Sequence, residues 1–222
     1  MAASSLNIDL FISTQCPHCS QALELLSKAV KQGDIGQLNI INLNSSNNSE
    51  QYSHIRSVPF IQIDDYEFNG NLKKSELDDW IKADKEDNFA GYYFSTLLMD
   101  GQISQVENFI KRKTNYLLEL IKLAQDENAK MQVRIGITAV FESIYSEIPK
   151  LSQSDEIINS LIQATDTDNH AIRVDLIYIL SLVFKAFKDQ QQKNSELNTF
   201  MLLASKDSSE EINEIANDVL NN

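Results

Sequence analysis

Residues 8–19 read IDLFISTQCPHC, a short apolar run followed closely by the only two cysteines of the chain. The first five residues mix β-branched, aromatic and apolar side chains, a composition typical of a buried strand. After the cysteines, apolar residues recur at spacings of three and four, and a glycine follows: Ala22, Leu23, Leu26, Val30 and Gly33. This pattern predicts a helix from Pro17 to Lys31 that ends at the glycine.

The cysteine pair is therefore predicted to lie where a strand gives way to a helix. A helix that begins at Pro17 would put Cys16 beside unsatisfied backbone N–H groups and the positive end of the helix dipole. Both favour the thiolate, which is the nucleophilic form of cysteine. A protonated imidazole on His18 would lower the pKa of the Cys16 thiol further. The motif predicts a redox-active dithiol in which Cys19 is the partner thiol.

The rest of the first 85 residues alternates between strand-like and helix-like patterns. The predicted elements are a strand at 38–43, a turn near 51–56, a hairpin of strands 60–63 and 66–68 across Asp64-Asp65, and a helix at 73–82. In that helix, Leu77, Trp80 and Ile81 share one face and are predicted to be core residues.

In this order of elements, residues 6–83 resemble the thioredoxin superfamily, and in size they are similar to its glutaredoxin-like members. Two motifs carry the resemblance, CPHC at 16–19 and Ser-Val-Pro at 57–59. The CPHC sequence looks like that of the disulfide-oxidant branch. The resemblance implies that the peptide bond before Pro59 is cis and that Pro59 lies against the cysteines. It also implies that Val58 and Pro59 present a backbone edge to an extended client.

Other interpretations of these motifs stay open. The cysteine pair could be half of a zinc site, but the chain has no second CxxC, and His54 and His170 lack ligand-like spacing to it. His18 could be an ordinary solvated residue at a helix start, and Pro59 an ordinary trans proline in a turn. We expect no cofactor and no resident metal.

After a charged stretch at 82–88 the sequence changes to helical periods throughout, which predicts an all-α domain. The segments are 89–99, 103–110, 116–124, 131–148, 157–164, 171–187, 196–204 and 210–220. The predicted fold class is therefore α/β plus all-α, with a thioredoxin-like domain at 1–85 and a helical domain at 86–222.

A weak internal repeat runs through the helical part. Acidic and polar residues precede an arginine and an apolar helix twice, and Arg134 and Arg173 lie 39 residues apart. This offset is near the repeat length of HEAT and armadillo proteins, about 40–47 residues. Residues 115–187 thus resemble two HEAT-like repeats, and the resemblance implies that each arginine bridges neighbouring repeats. A third pair at 196–220 has Asn213 where an arginine is expected, which suits a terminal cap. A plain helical bundle is the alternative.

Composition limits the partners. The formal net charge of −13 argues against nucleic acid and anionic membranes as partners. The apolar run from Leu176 to Phe184 is too short to cross a bilayer and indicates a central, covered helix. The first eight residues lack a signal-peptide pattern, so we expect a cytoplasmic protein.

These observations predict a thiol–disulfide oxidoreductase that exchanges disulfides through Cys16 and Cys19, with the helical domain recognising a protein client or a redox partner. In a reducing cytosol the pair would act as a reductant, an isomerase or a sensor. The alternative is a redox-switched interaction scaffold with little turnover. A third interpretation is metal or iron–sulfur binding by a dimer through Cys16.

Overall fold

The computed structural model of the protein describes residues 6–45 and 51–221. The chain divides into two compact units, one up to Tyr92 and the other from Tyr93. The predicted fold class, α/β followed by all-α, is confirmed. The predicted domain boundary after residue 85 falls between the second and third helices and stays a prediction. Residues 1–5, most of the stretch in which the sequence shows no signal-peptide pattern, lie outside the described residues.

The first unit is built on a four-stranded sheet in the order β2-β1-β3-β4. Its elements are β1 (Asn7–Ile12), α1 (Cys19–Gln32), β2 (Gln37–Asn42), β3 (Phe60–Ile63), β4 (Tyr66–Asn69) and α2 (Lys74–Lys85). Strands β1 and β2 pair in parallel, while β1 with β3 and β3 with β4 pair antiparallel. The parallel pair needs a crossover, which α1 supplies. The predicted hairpin is confirmed, with Ile63 opposite Tyr66.

The core of this unit lies where α1 and α2 meet the sheet. Alternate residues of β1, Ile8 and Leu10, are fully buried in one cluster with Leu26 of α1 and Trp80 of α2. This is the period of two expected of a strand with one covered face. The predicted burial of Trp80 and its neighbours on α2 is confirmed.

Helix α1 begins two residues later than predicted, at Cys19 rather than Pro17. Cys16 lies outside the helix in both the prediction and the structure, as expected of a residue that precedes a proline. Its N–H instead donates to the Ser13 carbonyl at 3.2 Å, which closes a turn. At the other end, Gly33 adopts a φ of 75°, a left-handed conformation that favours glycine, and confirms the predicted stop.

The second unit is helical throughout its described residues. Its elements are α3 (Phe89–Met99, which starts in the first unit), α4 (Ile103–Arg112), α5 (Tyr116–Ala124), α6 (Met131–Ile144), a 3₁₀ helix (Tyr145–Lys150), α7 (Ser154–Ala164), α8 (His170–Asp189), α9 (Ser195–Ala204) and α10 (Glu210–Asn221). The predicted helix 131–148 is corrected, because Pro149 disfavours continued α-helix through its clash with the carbonyl four residues earlier.

From α5 onward the helices lie in two layers. Helix α7 contacts α5 and α9 in one layer, and α8 contacts α6 and α10 in the other. Two contacts show that α6 and α8 run parallel. Arg134 pairs with Asp175 in the first halves of the two helices, and the Gln190 side chain donates to the Ser146 carbonyl just past their ends. Helix α8 is central, as its apolar sequence predicts, with Leu176, Leu180 and Val183 fully buried. No helix in the described ranges has the length and apolar character needed to cross a membrane.

Candidate functional site

Cys16 and Cys19 form a disulfide at the start of α1, with their Cα atoms 5.5 Å apart. The two sulfurs differ in accessibility. Cys19 is the first residue of the helix and only 5% of it is exposed, whereas Cys16, in the preceding turn, is half-buried. Attack on a protein disulfide requires access to the attacking or attacked sulfur. Cys16 is therefore the more accessible sulfur of the pair.

The turn before β3 faces this disulfide. The Val58–Pro59 peptide bond is cis, the isomer that the resemblance implies, and Pro59 is buried. The Sγ atom of Cys16 lies 3.5 Å from the carbonyl oxygen of Val58. Because this sulfur is part of the disulfide and carries no proton, it makes a van der Waals contact with the oxygen and not a hydrogen bond. In the reduced protein the Cys16 thiol can donate a hydrogen bond to that oxygen.

Both loops of the site are tied to neighbouring strand ends. Ahead of Cys16, the backbone N–H and the hydroxyl of Thr14 both donate to Asn44 Oδ1, at 2.9 and 3.2 Å. Ahead of Pro59, the Ser57 hydroxyl donates to Asn69 Oδ1 at 3.3 Å. Neither Thr14 nor Asn44 belongs to a motif that is recognisable in the sequence. No local pattern could link them, because 30 residues separate them.

Three aromatic side chains pack together at the same end of the sheet. Phe11 and Phe60 are opposite each other on β1 and β3, with ring centroids 5.5 Å apart in an edge-on arrangement. Tyr52, in the turn predicted near 51–56, packs edge-on against Phe11 at 4.9 Å. These contacts hold the strand ends that carry the CPHC loop and the Val58–Pro59 turn.

The remaining residues of the motif, Pro17 and His18, are exposed. His18 is the residue that precedes α1, and its side chain makes no capping hydrogen bond. The predicted tuning of the Cys16 thiol by His18 stays a prediction. Over residues 6–45 and 51–221, no three His, Cys, Asp or Glu side chains are grouped so as to hold a metal ion.

The arginines of the internal repeat pair with carboxylates of the next helical pair. Arg134 donates through Nε to Asp175 Oδ2 at 2.8 Å, and Arg173 pairs with Asp207. The backbone N–H of Ser209, together with Arg173, holds the pKa of Asp207 below its ordinary value. In the last pair, Asn213 donates instead to the Ser205 carbonyl, so it ties α10 to the end of α9.

Comparison with known proteins supports a thioredoxin-like first unit. A family model described as a thioredoxin domain matches residues 6–82. The match covers well under half of the chain and none of the second unit. No curated protein matches the chain. Residues 6–82 are thus a thioredoxin-like domain that carries the Cys16–Cys19 pair, followed by a helical region.

Proposed function

We propose that this protein is a thiol–disulfide oxidoreductase. The observation that carries the proposal is the Cys16–Cys19 disulfide in a thioredoxin-like domain, with Cys16 accessible and Cys19 buried. This asymmetry supports the roles that we propose for the two cysteines. An accessible sulfur can form an intermolecular bond with a client, and a buried neighbour can attack only the sulfur beside it.

The exchange proceeds in two displacements that conserve atoms and charge. In the reduced protein, the Cys16 thiolate attacks one sulfur of a client disulfide, a mixed disulfide forms, and the other client sulfur leaves as a thiolate. The Cys19 thiolate then attacks Cys16 Sγ, which restores the Cys16–Cys19 bond and releases the second client thiolate. The client gains two electrons, and a thiol reductant must return them to the protein. The same steps in reverse oxidise a client dithiol.

The proposal assigns substrate contact to Val58 and Pro59. The carbonyl of Val58 lies beside Cys16 Sγ, so an extended client segment that pairs with this backbone brings its own sulfur next to the nucleophile. The helical unit is proposed to recognise the client or a redox partner, as HEAT-like repeats whose parallel inner helices α6, α8 and α10 form one surface. If removal of residues 93–222 leaves exchange rates on a natural client unchanged, this recognition role is refuted.

The first test is the reduction potential of the pair, measured by equilibration in glutathione buffers and mass-spectrometric counting of free thiols. A potential of about −270 mV indicates a thioredoxin-like reductant, and a potential of about −120 mV indicates an oxidant that needs a recharging partner. If no reversible two-electron transition occurs, the proposal is wrong.

The second test uses the two cysteine variants in turnover of a model protein disulfide. We expect Cys16→Ser to abolish turnover, because the attacking sulfur is gone. Cys19→Ser should also stop turnover, but it should accumulate mixed disulfides through Cys16, visible by mass spectrometry under non-reducing conditions. Mixed disulfides that accumulate equally in both variants would contradict the assigned roles.

A second candidate is the redox-switched scaffold, favoured by the large apolar side chains Met131 and Ile135 that the helical unit exposes. Such a protein should bind one partner differently in its two redox states and turn over a disulfide only slowly. Multiple turnovers per molecule in the assay above distinguish the oxidoreductase from the switch.

A further inference from the structure

The solvent face of α6 carries apolar side chains where an amphipathic helix normally carries polar ones. Its opposite face packs into the unit through Val133, Ile137 and Val140, all buried. On the outer face, Met131 is 69% and Ile135 is 60% exposed. These two residues are four apart, so their side chains lie on one stripe of the helix.

This stripe opens into a groove between α6 and α8. The groove has a volume of about 290 Å³, and Met131, Ile135 and Ala139 line it together with Arg134, Glu142 and Asp175. Pockets for small ligands span about 300–1,000 Å³, so this groove has room for one or two apolar side chains of a protein partner rather than for a cofactor. Exposed apolar side chains next to charged ones are a usual arrangement of a protein-recognition site.

The charged side chains that line the groove, Arg134, Glu142 and Asp175, carry a net negative charge. Asp175 neutralises Arg134, whereas Glu142 accepts a hydrogen bond from Tyr178 and forms no ion pair with a described residue. Residues 125–142 and 165–175, which include the loops ahead of the parallel helices α6 and α8, hold six carboxylates against three Lys and Arg side chains. A partner segment of opposite charge is therefore attracted, and a negatively charged one is repelled.

We infer that the α6–α8 groove binds a basic amphipathic segment of a partner protein, which inserts an apolar side chain beside Ile135 and directs lysines or arginines toward Glu142. A second copy of this chain fits poorly, because a two-fold interface would place the same net negative charge against itself. The inference rests on the proposed recognition role of the helical unit and gives that role a place and a partner chemistry. It does not depend on disulfide exchange.

The test measures binding of a fluorescein-labelled helical peptide of Leu and Lys, with its leucines on one face, to the full chain by anisotropy at physiological salt. Ile135→Gln should raise the dissociation constant by about tenfold or more, as loss of a central apolar contact does. The matched control is Leu203→Gln, since Leu203 is 66% exposed on α9 and outside the groove. It should leave the constant within about twofold of the native value.

A second variant, Glu142→Lys, keeps the inference testable if Ile135→Gln folds poorly by circular dichroism. It should weaken the Leu/Lys peptide severalfold and improve binding of a matched Leu/Glu peptide. Equal effects of Ile135→Gln and Leu203→Gln, or equal affinity for the two peptides, would overturn the inference. If the chain forms a concentration-dependent dimer that Ile135→Gln dissociates, the inference is also overturned, because the groove then binds a second copy of this chain and not a basic partner. In every case, turnover by Cys16 is measured separately, so failure here leaves the exchange reaction standing.

Discussion

Pro17 accounts for much of the difference between the two cysteines. Because the residue before a proline is disfavoured in helical conformation, Cys16 lies in a turn at the surface, while Cys19 starts the helix and is buried by it. One backbone restriction thus separates an accessible sulfur from a protected one. Because the helix begins at Cys19, its dipole acts more directly on that residue than on Cys16, and His18 is the other titratable side chain of the motif.

His18→Ala tests the tuning of Cys16. Loss of an imidazolium beside the thiolate should raise the pKa of the Cys16 thiol and make the pair more reducing, by about 30 mV for a change of about 1.4 kcal/mol. Thiolate absorbance against pH and redox equilibration give the two values. The control is His54→Ala, an exposed histidine that follows Tyr52 in the turn at 51–54. A His18→Ala potential equal to that of the control would show that His18 is a solvated bystander.

At the level of helices, Gly136 of α6 leaves room for the Leu98 side chain of α3. A Cβ atom at this position would lie 2.8 Å from Leu98 Cδ2, and so Leu98 would have to move. Gly136→Ala should therefore lower the free energy of unfolding by about 1–3 kcal/mol. In a Leu98→Ala background the space is free, and the same change should instead stabilise by up to about 1 kcal/mol through helix propensity. Urea unfolding measures both, and an equal cost in both backgrounds would refute the contact.

The pairing of α8 with the turn before α10 should depend on pH. The pKa of Asp207 is lowered in the folded protein, so its stabilisation is present above the ordinary carboxyl pKa and is lost as the pH falls through the lower, folded value. Asp207→Asn should cost about 1 kcal/mol at pH 7, because the charge that Ser209 N–H and Arg173 stabilise is gone. The cost should shrink below about pH 4.

Urea unfolding of the helical unit at pH 7 and at pH 3 tests this expectation. Asp166→Asn is the control, because Asp166 is exposed and no side-chain contact of it is described. A penalty for Asp207→Asn that stays constant between the two pH values would mean that the ion pair contributes little.

At the scale of the molecule, the two units should unfold separately. Trp80 is the only tryptophan and is fully buried in the first unit, so its fluorescence reports that unit, whereas circular dichroism reports mainly the second. Phe89 packs 5.0 Å from Tyr66, and Phe94 packs 5.5 Å from Phe109. Both phenylalanines lie on α3, but they pack in different units. Phe89→Ala should therefore lower the urea midpoint measured by fluorescence, whereas Phe94→Ala should lower the midpoint measured by circular dichroism.

The expected costs are about 3–5 kcal/mol for Phe94→Ala, whose side chain is fully buried, and about 2 kcal/mol for Phe89→Ala, whose side chain is half-buried. Each variant is the control for the other. Equal shifts of both signals in both variants would indicate one cooperative unit rather than two.

The succession of helices and strands could be predicted because each element depends on residues close together in the chain. The hairpin across Asp64-Asp65, the stop of α1 at Gly33 and the cysteine pair between a strand and a helix all follow from local patterns. The two errors at helix ends are local as well. The predicted start of α1, at Pro17, is two residues early, and Pro149 shortens a helix that the apolar spacing alone extends too far.

The site itself depends on contacts between distant parts of the chain. Cys16 meets the Val58 carbonyl only because β3 pairs beside β1, and Thr14 meets Asn44 because β2 pairs on its other side. The groove on α6 likewise needs α8 to lie parallel to it. Such contacts depend on how strands pair and helices pack, and nothing in the local pattern of one segment records which distant segment will cover it.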